Sequence, residues 1–208
     1  MKVLLINGSP NEKGCTYTAL SEVAGALEQE GIETEIFHIG KNPVRGCIGC
    51  GGCARNGNGR CVFDDDIANR ILEKAEEADA YVIGSPVYFA SANGALISLL
   101  DRIFYAGKCF AYKPAAAVVS ARRGGTTASI DEINKYFSIR NMPLVSSKYW
   151  TMVHGNATEE VKQDLEGMQN MRTLGRNMAW LLKCLEAGKN AGISIPAAET
   201  PIKTNFIR

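Results

Sequence analysis

Residues 2–31, KVLLINGSPNEKGCTYTALSEVAGALEQEG, decide the class of fold. Val3, Leu4, Leu5 and Ile6 form an unbroken apolar run, the pattern of a strand buried on both faces. Asn7-Gly8-Ser9-Pro10 ends the run. Leu20, Val23, Ala24 and Leu27 then recur at i, i+3, i+4 and i+7, one face of a helix, and Gly31 supplies its stop. A buried strand that passes through a polar turn into an amphipathic helix is the opening of a parallel βαβ unit.

Working outward, the alternation repeats. A second strand covers 34–39. Asp64-Asp65-Asp66 precede Ile67, Ile71, Leu72 and Ala75, a helix with acidic residues at its positive end. A third strand, 80–83, stops at Gly84-Ser85-Pro86, and Leu96, Leu99, Leu100, Ile103 and Phe104 mark the helix after it. Residues 115–119 give a fourth strand, 127–137 another helix, and 143–150 a fifth strand. Strands alternating with helices predict an α/β fold: a doubly wound, five-stranded parallel sheet of order 2-1-3-4-5, with its ligand crevice at the carboxyl ends of the strands. The glycine- and serine-rich turns fall there, after strands one, three and four.

From 159 to about 185, Val161, Leu165, Met168, Met171, Leu174, Met178, Leu181 and Leu185 keep a helical stripe of roughly 40 Å. Gly167 and Gly175 are expected either to divide this helix or to admit a neighbour closely. The tail, 193–208, reads as an extended arm. A length of 208 residues suits one domain, with the core motifs in 1–150 and the helix and tail of 151–208 available for oligomer contacts.

The formal net charge of +1 argues against nucleic acid or membrane surfaces as partners, and no apolar run approaches a membrane span. The N-terminal apolar run is too short for a signal peptide, so the expected location is cytoplasmic. In a reducing compartment, clustered cysteines point to metal or redox chemistry more than to structural disulfides.

The first turn, GSPNEKGCTYT (8–18), leads onto a helix N-terminus, where free amides and a partial positive charge suit a phosphate. It is neither a dinucleotide fingerprint nor a Walker A loop, since Cys15 stands where the lysine belongs. Hydroxyls at Ser9, Thr16 and Thr18 suit a monophosphate held by neutral donors. The second turn brings Tyr88 and Phe89 to the sheet edge, to flank a flat ring or to pack on the next helix. The third, SARRGGT (120–126), offers free amides beside Arg122 and Arg123.

GSPNEKGCTYTAL, GSPVYFASANGALISLLDR and SARRGGTT, in that order, resemble the three ligand loops of the flavodoxin-like FMN reductases. With CIGCGGC…C between the first two, the chain is similar to the iron–sulfur flavoprotein branch of that family. The resemblance implies a flavodoxin-like fold and an FMN whose phosphate meets Ser9, Asn11, Thr16 and Tyr17. It places the isoalloxazine along Pro86, Val87, Tyr88 and Phe89, with Ser120, Gly124 and Gly125 closing the third side. Where the family often has Asn before the Thr, this chain has Cys15, which leaves a backbone contact there. The resemblance further implies assembly near the flavin, as a homodimer or homotetramer.

Four of the seven cysteines, Cys47, Cys50, Cys53 and Cys61, are spaced C-x2-C-x2-C-x7-C. Three crowded thiolates and a fourth nearby suit a [4Fe–4S] cluster, and glycines at 49, 51 and 52 permit the turns. Zinc, a C-x-x-C dithiol and plain free thiols are the alternatives; a dithiol pair would want a helix N-terminus that the loop does not advertise. Cys15, Cys109 and Cys184 read as semi-buried hydrophobes, and Trp150 as a core residue. His38 and His154 form no nucleophile system, so chemistry is expected to reside in the cofactor. The function expected is an FMN-dependent oxidoreductase or electron-transfer flavoprotein. It would take electrons from NAD(P)H or a protein donor, with the nicotinamide phosphate near Arg122 or Arg123. A cluster-free reductase and a non-enzymatic flavin-binding module are the alternatives.

Overall fold

The structure, a computed structural model, describes residues 1–202 and 204. The last part of the expected arm, residues 203 and 205–208, lies outside the described residues; 193–202 carry no helix or strand. In chain order the first elements are β1 (Lys2–Asn7), α1 (Cys15–Gln29), β2 (Glu33–His38), α2 (Gly52–Asn56), α3 (Ala68–Glu77) and β3 (Ala80–Tyr88). There follow β4 (Ser91–Ala92), α4 (Gly94–Ala106), β5 (Ala115–Ala121), α5 (Thr126–Ile139), β6 (Met152–His154), α6 (Thr158–Gln163) and α7 (Leu165–Asn190).

β1 lies inside the sheet because its apolar run can bury both faces. Its even residues, Leu4 and Ile6, join Tyr81 and Ile83 under α3, α4 and α5. Its odd residues, Val3 and Leu5, join Val82 and Val118 under α1 and α7. Parallel pairing runs from Lys2–Glu33 to Asn7–His38 on one side and from Val3–Ala80 to Asn7–Gly84 on the other. The sheet order is β2-β1-β3-β5-β6, with every pair parallel, as the sequence predicts for five strands. The two-residue β4 is a sixth strand, folded back antiparallel on β3.

The fifth main strand differs in position. Leu144 makes only an isolated bridge to Ala115, and the paired strand is Met152–His154 rather than 143–150. The intervening segment is tied to α7: Asn177 Nδ2 donates to the Ser146 carbonyl at 2.8 Å, and Ser147 Oγ to the Asn170 carbonyl at 2.8 Å. Trp150 consequently leaves the core, is half exposed, and meets Tyr149 edge-on at 5.0 Å between ring centroids.

The long C-terminal helix is divided, and Asp164 divides it. Asp164 Oδ1 accepts from the Gly167 amide at 2.9 Å and Oδ2 from the His154 amide at 2.7 Å, so α7 begins with its own cap. Both glycines serve close approach. A Cβ on Gly167 would lie 2.4 Å from Asp164 Oδ2, and one on Gly175 would lie 2.7 Å from both Ala26 Cβ and the Val23 carbonyl of α1. α1 and α7 are further tied by Arg172–Glu22 and by Lys183–Glu30 at 2.7 Å. Among the described residues no helix is long and apolar enough to cross a membrane.

Candidate functional site at the carboxyl edge of the sheet

Asn7, the last residue of β1, builds the first turn. Its Oδ1 accepts from the Ser9 amide at 3.1 Å and its Nδ2 donates to the Glu12 carbonyl at 3.0 Å. Ser9 Oγ accepts from the Asn11 amide at 3.1 Å, and His38 Nε2 lies 2.8 Å from the Ser9 carbonyl. Gly8 lies flat on β3, its amide 2.8 Å from the Gly84 carbonyl, where a Cβ would come within 2.6 Å. No side chain caps α1, so the turn leaves its first-turn amides to an outside acceptor. That vacancy in the protein's own hydrogen bonding fits a phosphate.

Cys15 faces away from the turn: its thiol donates to the Gly155 carbonyl at 3.7 Å, and burial raises its pKa. Only its backbone remains for the turn. Thr16 Oγ1 lies 2.9 Å from Ser120 Oγ in the third turn, both side chains almost fully buried. The Tyr17 side chain lines a groove with Lys13, Glu22, Thr158 and Lys162, while Asn11 lines another with Lys13, His38, Lys41 and Asn156.

β3 runs past Gly84 to Tyr88 because the chain then doubles back as β4. Phe89 stands at the reversal with φ of 59°, a left-handed conformation costly for an aromatic residue, and it is fully exposed. Neither Tyr88 nor Phe89 packs in the core; both project from the rim. The third turn lies directly against this hairpin. Gly125 has φ of 87°, and a Cβ on it would meet Val87 Cγ1 at 2.8 Å. Ser91 Oγ also bonds to Glu132 of α5. Arg122, Arg123 and Gly124 are exposed, and α5, like α1, has no side-chain cap.

Asn93 escaped the sequence analysis and ties the first two turns. Its Nδ2 donates to the Gly8 carbonyl at 2.6 Å, its amide to Ser85 Oγ at 3.0 Å, and its Oδ1 caps α4 at the Ala95 amide. An asparagine just before an apolar-periodic run was the available signal. The structure therefore gathers Ser9, Thr16, Pro86, Val87, Ser120 and Gly125 onto three mutually bonded turns.

The four cysteines line one pocket with Val62, Phe63, Arg102 and Tyr105. Cys47 and Cys50 are exposed, Cys53 and Cys61 half-buried. The one-turn α2, unforeseen in the sequence, follows Gly51 at φ of 67° and carries Cys53. A Cβ on Gly52 would strike Val62 Cγ1 at 2.5 Å, so glycine alone lets the two arms of the loop touch. Four thiols around one pocket are a donor set suited to an iron–sulfur cluster. Among the described residues, however, no three His, Cys, Asp or Glu side chains already converge on a metal-sized point.

The loop is held from within by Arg102 of α4, only 2% exposed. Nε donates to Cys61 Sγ at 3.4 Å, Nη2 to the Phe63 carbonyl at 3.0 Å, and Nη1 to the Arg45 carbonyl at 3.3 Å and to Asp66. Burial alone would raise the Asp66 carboxyl; the Ala68 amide and the Arg102 guanidinium outweigh it and hold the group below the ordinary aspartate value. The acidic run does not supply the cap expected of it: the N-cap of α3 is Ile67, without a side-chain cap, and Asp66 Oδ1 accepts from the Ala68 amide at 3.0 Å from one position further out. Asn69 grips Cys61 from both sides, Oδ1 accepting from its amide at 2.9 Å and Nδ2 donating to its carbonyl at 3.0 Å. Cys184, expected to be semi-buried, is exposed on α7.

The sequence pattern described as NADPH-dependent FMN reductase matches residues 1–157. An iron–sulfur flavoprotein of Methanocaldococcus jannaschii is 34% identical over 89% of this chain and all of its own length. One of Methanosarcina thermophila is 28% identical over 91% of this chain and all of its own. Among solved structures, a flavone reductase superposes with a TM-score of 0.67 at 17% identity, covering 89% of this chain and 64% of that one. A flavodoxin from the domain Archaea superposes at 0.59 and 14% identity, over 88% and 99% of the two chains.

Proposed function

Since the chain belongs to the NADPH-dependent FMN reductase family, in its iron–sulfur flavoprotein branch, and is a flavin-dependent oxidoreductase, we propose that FMN is seated on its three turns and a [4Fe–4S] cluster in its four-cysteine pocket. The observation that carries this is the set of direct ties joining the turns: Thr16 to Ser120, Asn93 to Gly8, and Gly125 against Val87. Turns braced in this way hold donors in place before a ligand arrives, which lowers the ordering cost of binding. When bound, FMN supplies one- and two-electron transfer and the cluster one-electron transfer.

The chain's own residues then bind and orient. The uncapped amides at the start of α1, with Ser9, Asn11, Thr16 and Tyr17 around them, hold the flavin phosphate. The isoalloxazine would lie along Pro86, Val87, Tyr88 and Phe89, with Ser120, Gly124 and Gly125 closing the remaining side. Cys47, Cys50, Cys53 and Cys61 are the cluster ligands. NAD(P)H suits the donor role because Arg122 and Arg123 stand free in solvent beside the third turn. Exposed Leu165 and Trp180 on α7 suit assembly into a homodimer or homotetramer.

A second reading, a cluster-free NAD(P)H-dependent reductase with structural cysteines, draws support from the hydrogen bonds that tie Cys61 to Asn69 and Arg102. Anaerobic purification followed by an absorbance spectrum and iron and acid-labile sulfide assays separates the two. Flavin with matched iron and sulfide supports the cluster. Flavin with neither supports the second reading. Colourless protein that refuses FMN at micromolar concentration overturns both.

A further inference from the structure

The four thiols do not have equal surroundings. Cys47 and Cys50 lie at the surface on a glycine-rich strand of loop, and Arg55 Nη1 holds only the Cys50 carbonyl, at 2.8 Å. Cys61 is fixed at amide, carbonyl and sulfur together: Asn69 takes the two backbone groups, and a buried guanidinium donates to Sγ. The guanidinium is itself immobilised by the Phe63 and Arg45 carbonyls and by Asp66, which is 9% exposed. Of the cations near the loop, Arg45 pairs at the surface with Asp65 and Arg60 with Glu73. Arg102 is the one directed at a sulfur among the described residues.

We propose that Arg102 is the positioning residue of the cysteine pocket and sets the reduction potential of its cluster through Cys61. This rests on the cluster reading above. Adding one electron makes and breaks no bond and takes up no proton; it places more negative charge on the sulfurs. An N–H donor at one sulfur, on a side chain charged before and after, is therefore worth more to the reduced state than to the oxidised one. Burial sharpens the effect, because a hydrogen bond out of water is not diluted by competing solvent. Asp66 balances the charge and fixes the direction in which Nε points. The pocket thus has one end fixed by the fold, at Cys61, and one free end, at Cys47 and Cys50, where thiols can close on incoming iron.

Two variants keep the test independent of folding failure. Arg102→Lys retains the cation without the forked donor. Arg102→Met with Asp66→Asn removes both charges, so that neither is left buried alone. Each is prepared anaerobically beside wild type, its iron, sulfide and FMN are assayed, and the cluster is titrated with dithionite and followed by electron paramagnetic resonance. The expected result is that the double variant keeps iron and FMN while its cluster becomes at least tenfold harder to reduce. For a one-electron couple that is a midpoint lower by about 59 mV. Arg102→Lys should fall between it and wild type, and the flavin potential should stay in place. An iron-replete double variant with an unchanged midpoint overturns the inference, leaving Arg102 a structural brace. Loss of iron from the double variant with FMN retained, while Arg102→Lys keeps iron and the wild-type midpoint, overturns it equally. Wild-type protein that carries FMN and no iron overturns both this inference and the cluster reading.

Discussion

The hydroxyls of Thr16 and Ser120, 104 residues apart in sequence, lie 2.9 Å from each other beneath the carboxyl edge of the sheet. The pair joins the turn after β1 to the end of β5 across the intervening β3. Ser120→Ala leaves the buried Thr16 hydroxyl without that partner, and the cost of such an orphan is about 1–3 kcal/mol. Urea unfolding of the flavin-free protein should show that loss. FMN titration should show weakened binding that Thr16→Val, added to Ser120→Ala, does not weaken by a further full increment, because the two residues act as one unit.

Gly125→Ala tests the contact between the third turn and the hairpin. At φ of 87° an alanine is strained, and its Cβ would press on Val87 at 2.8 Å. Stability should fall by more than about 1 kcal/mol, and FMN affinity should fall with it. Gly124→Ala, at an exposed position with open space around it, should bring no comparable loss of stability.

Cys50→Ser should abolish bound iron and leave FMN stoichiometry unchanged, since the cysteine pocket and the three turns share no residue. Iron retained at full occupancy would show that these thiols are not the ligands.

Asp66 predicts a pH dependence with a definite sign. Its pKa is lowered in the folded protein, so the unfolded chain binds the proton more readily. The stabilisation is complete above the unfolded value, about pH 4, and is lost as pH falls through the lower folded value. Asp66→Asn should therefore cost about 3–5 kcal/mol at neutral pH, because it strands a buried Arg102. The gap from wild type should narrow below about pH 4. Urea midpoints measured across that range check it; a gap independent of pH would place the stabilisation elsewhere.

Gly175→Leu should separate α1 from α7, since even a Cβ there lies 2.7 Å from Ala26 Cβ and the Val23 carbonyl. The expected cost is about 1–3 kcal/mol in urea unfolding, with occupancy of the cysteine pocket unaffected.

Legibility in the sequence followed the range of the forces involved. Residues 2–31 reveal strand, turn and helix because burial of a two-faced strand and a one-faced helix leaves local periods, and β1 and α1 appear where those periods place them. The strand at 143–150 is displaced because its competitors on α7, the Asn170 carbonyl and the Asn177 side chain, come from residues 23 or more positions away. No local pattern carries that contest. The turn after β1 was legible in its glycines and hydroxyls. Arg102 was not, although it falls three residues after Leu99 on the apolar face of α4; the chain around it shows a charged residue in a helix and nothing of the loop that surrounds it. Asn69 was hidden for the same reason.

α4 begins at the asparagine that grips Gly8 and carries, nine residues on, the arginine that grips Cys61. At 1.5 Å per residue the two handholds are about 13 Å apart along one stiff rod. The span between the sulfur loop and the turn edge is thus written into a helix rather than into loops. Insertions or deletions in residues 40–65 can reshape the loop without moving either handhold, whereas one residue added within α4 would rotate Arg102 by about 100° and break the gauge.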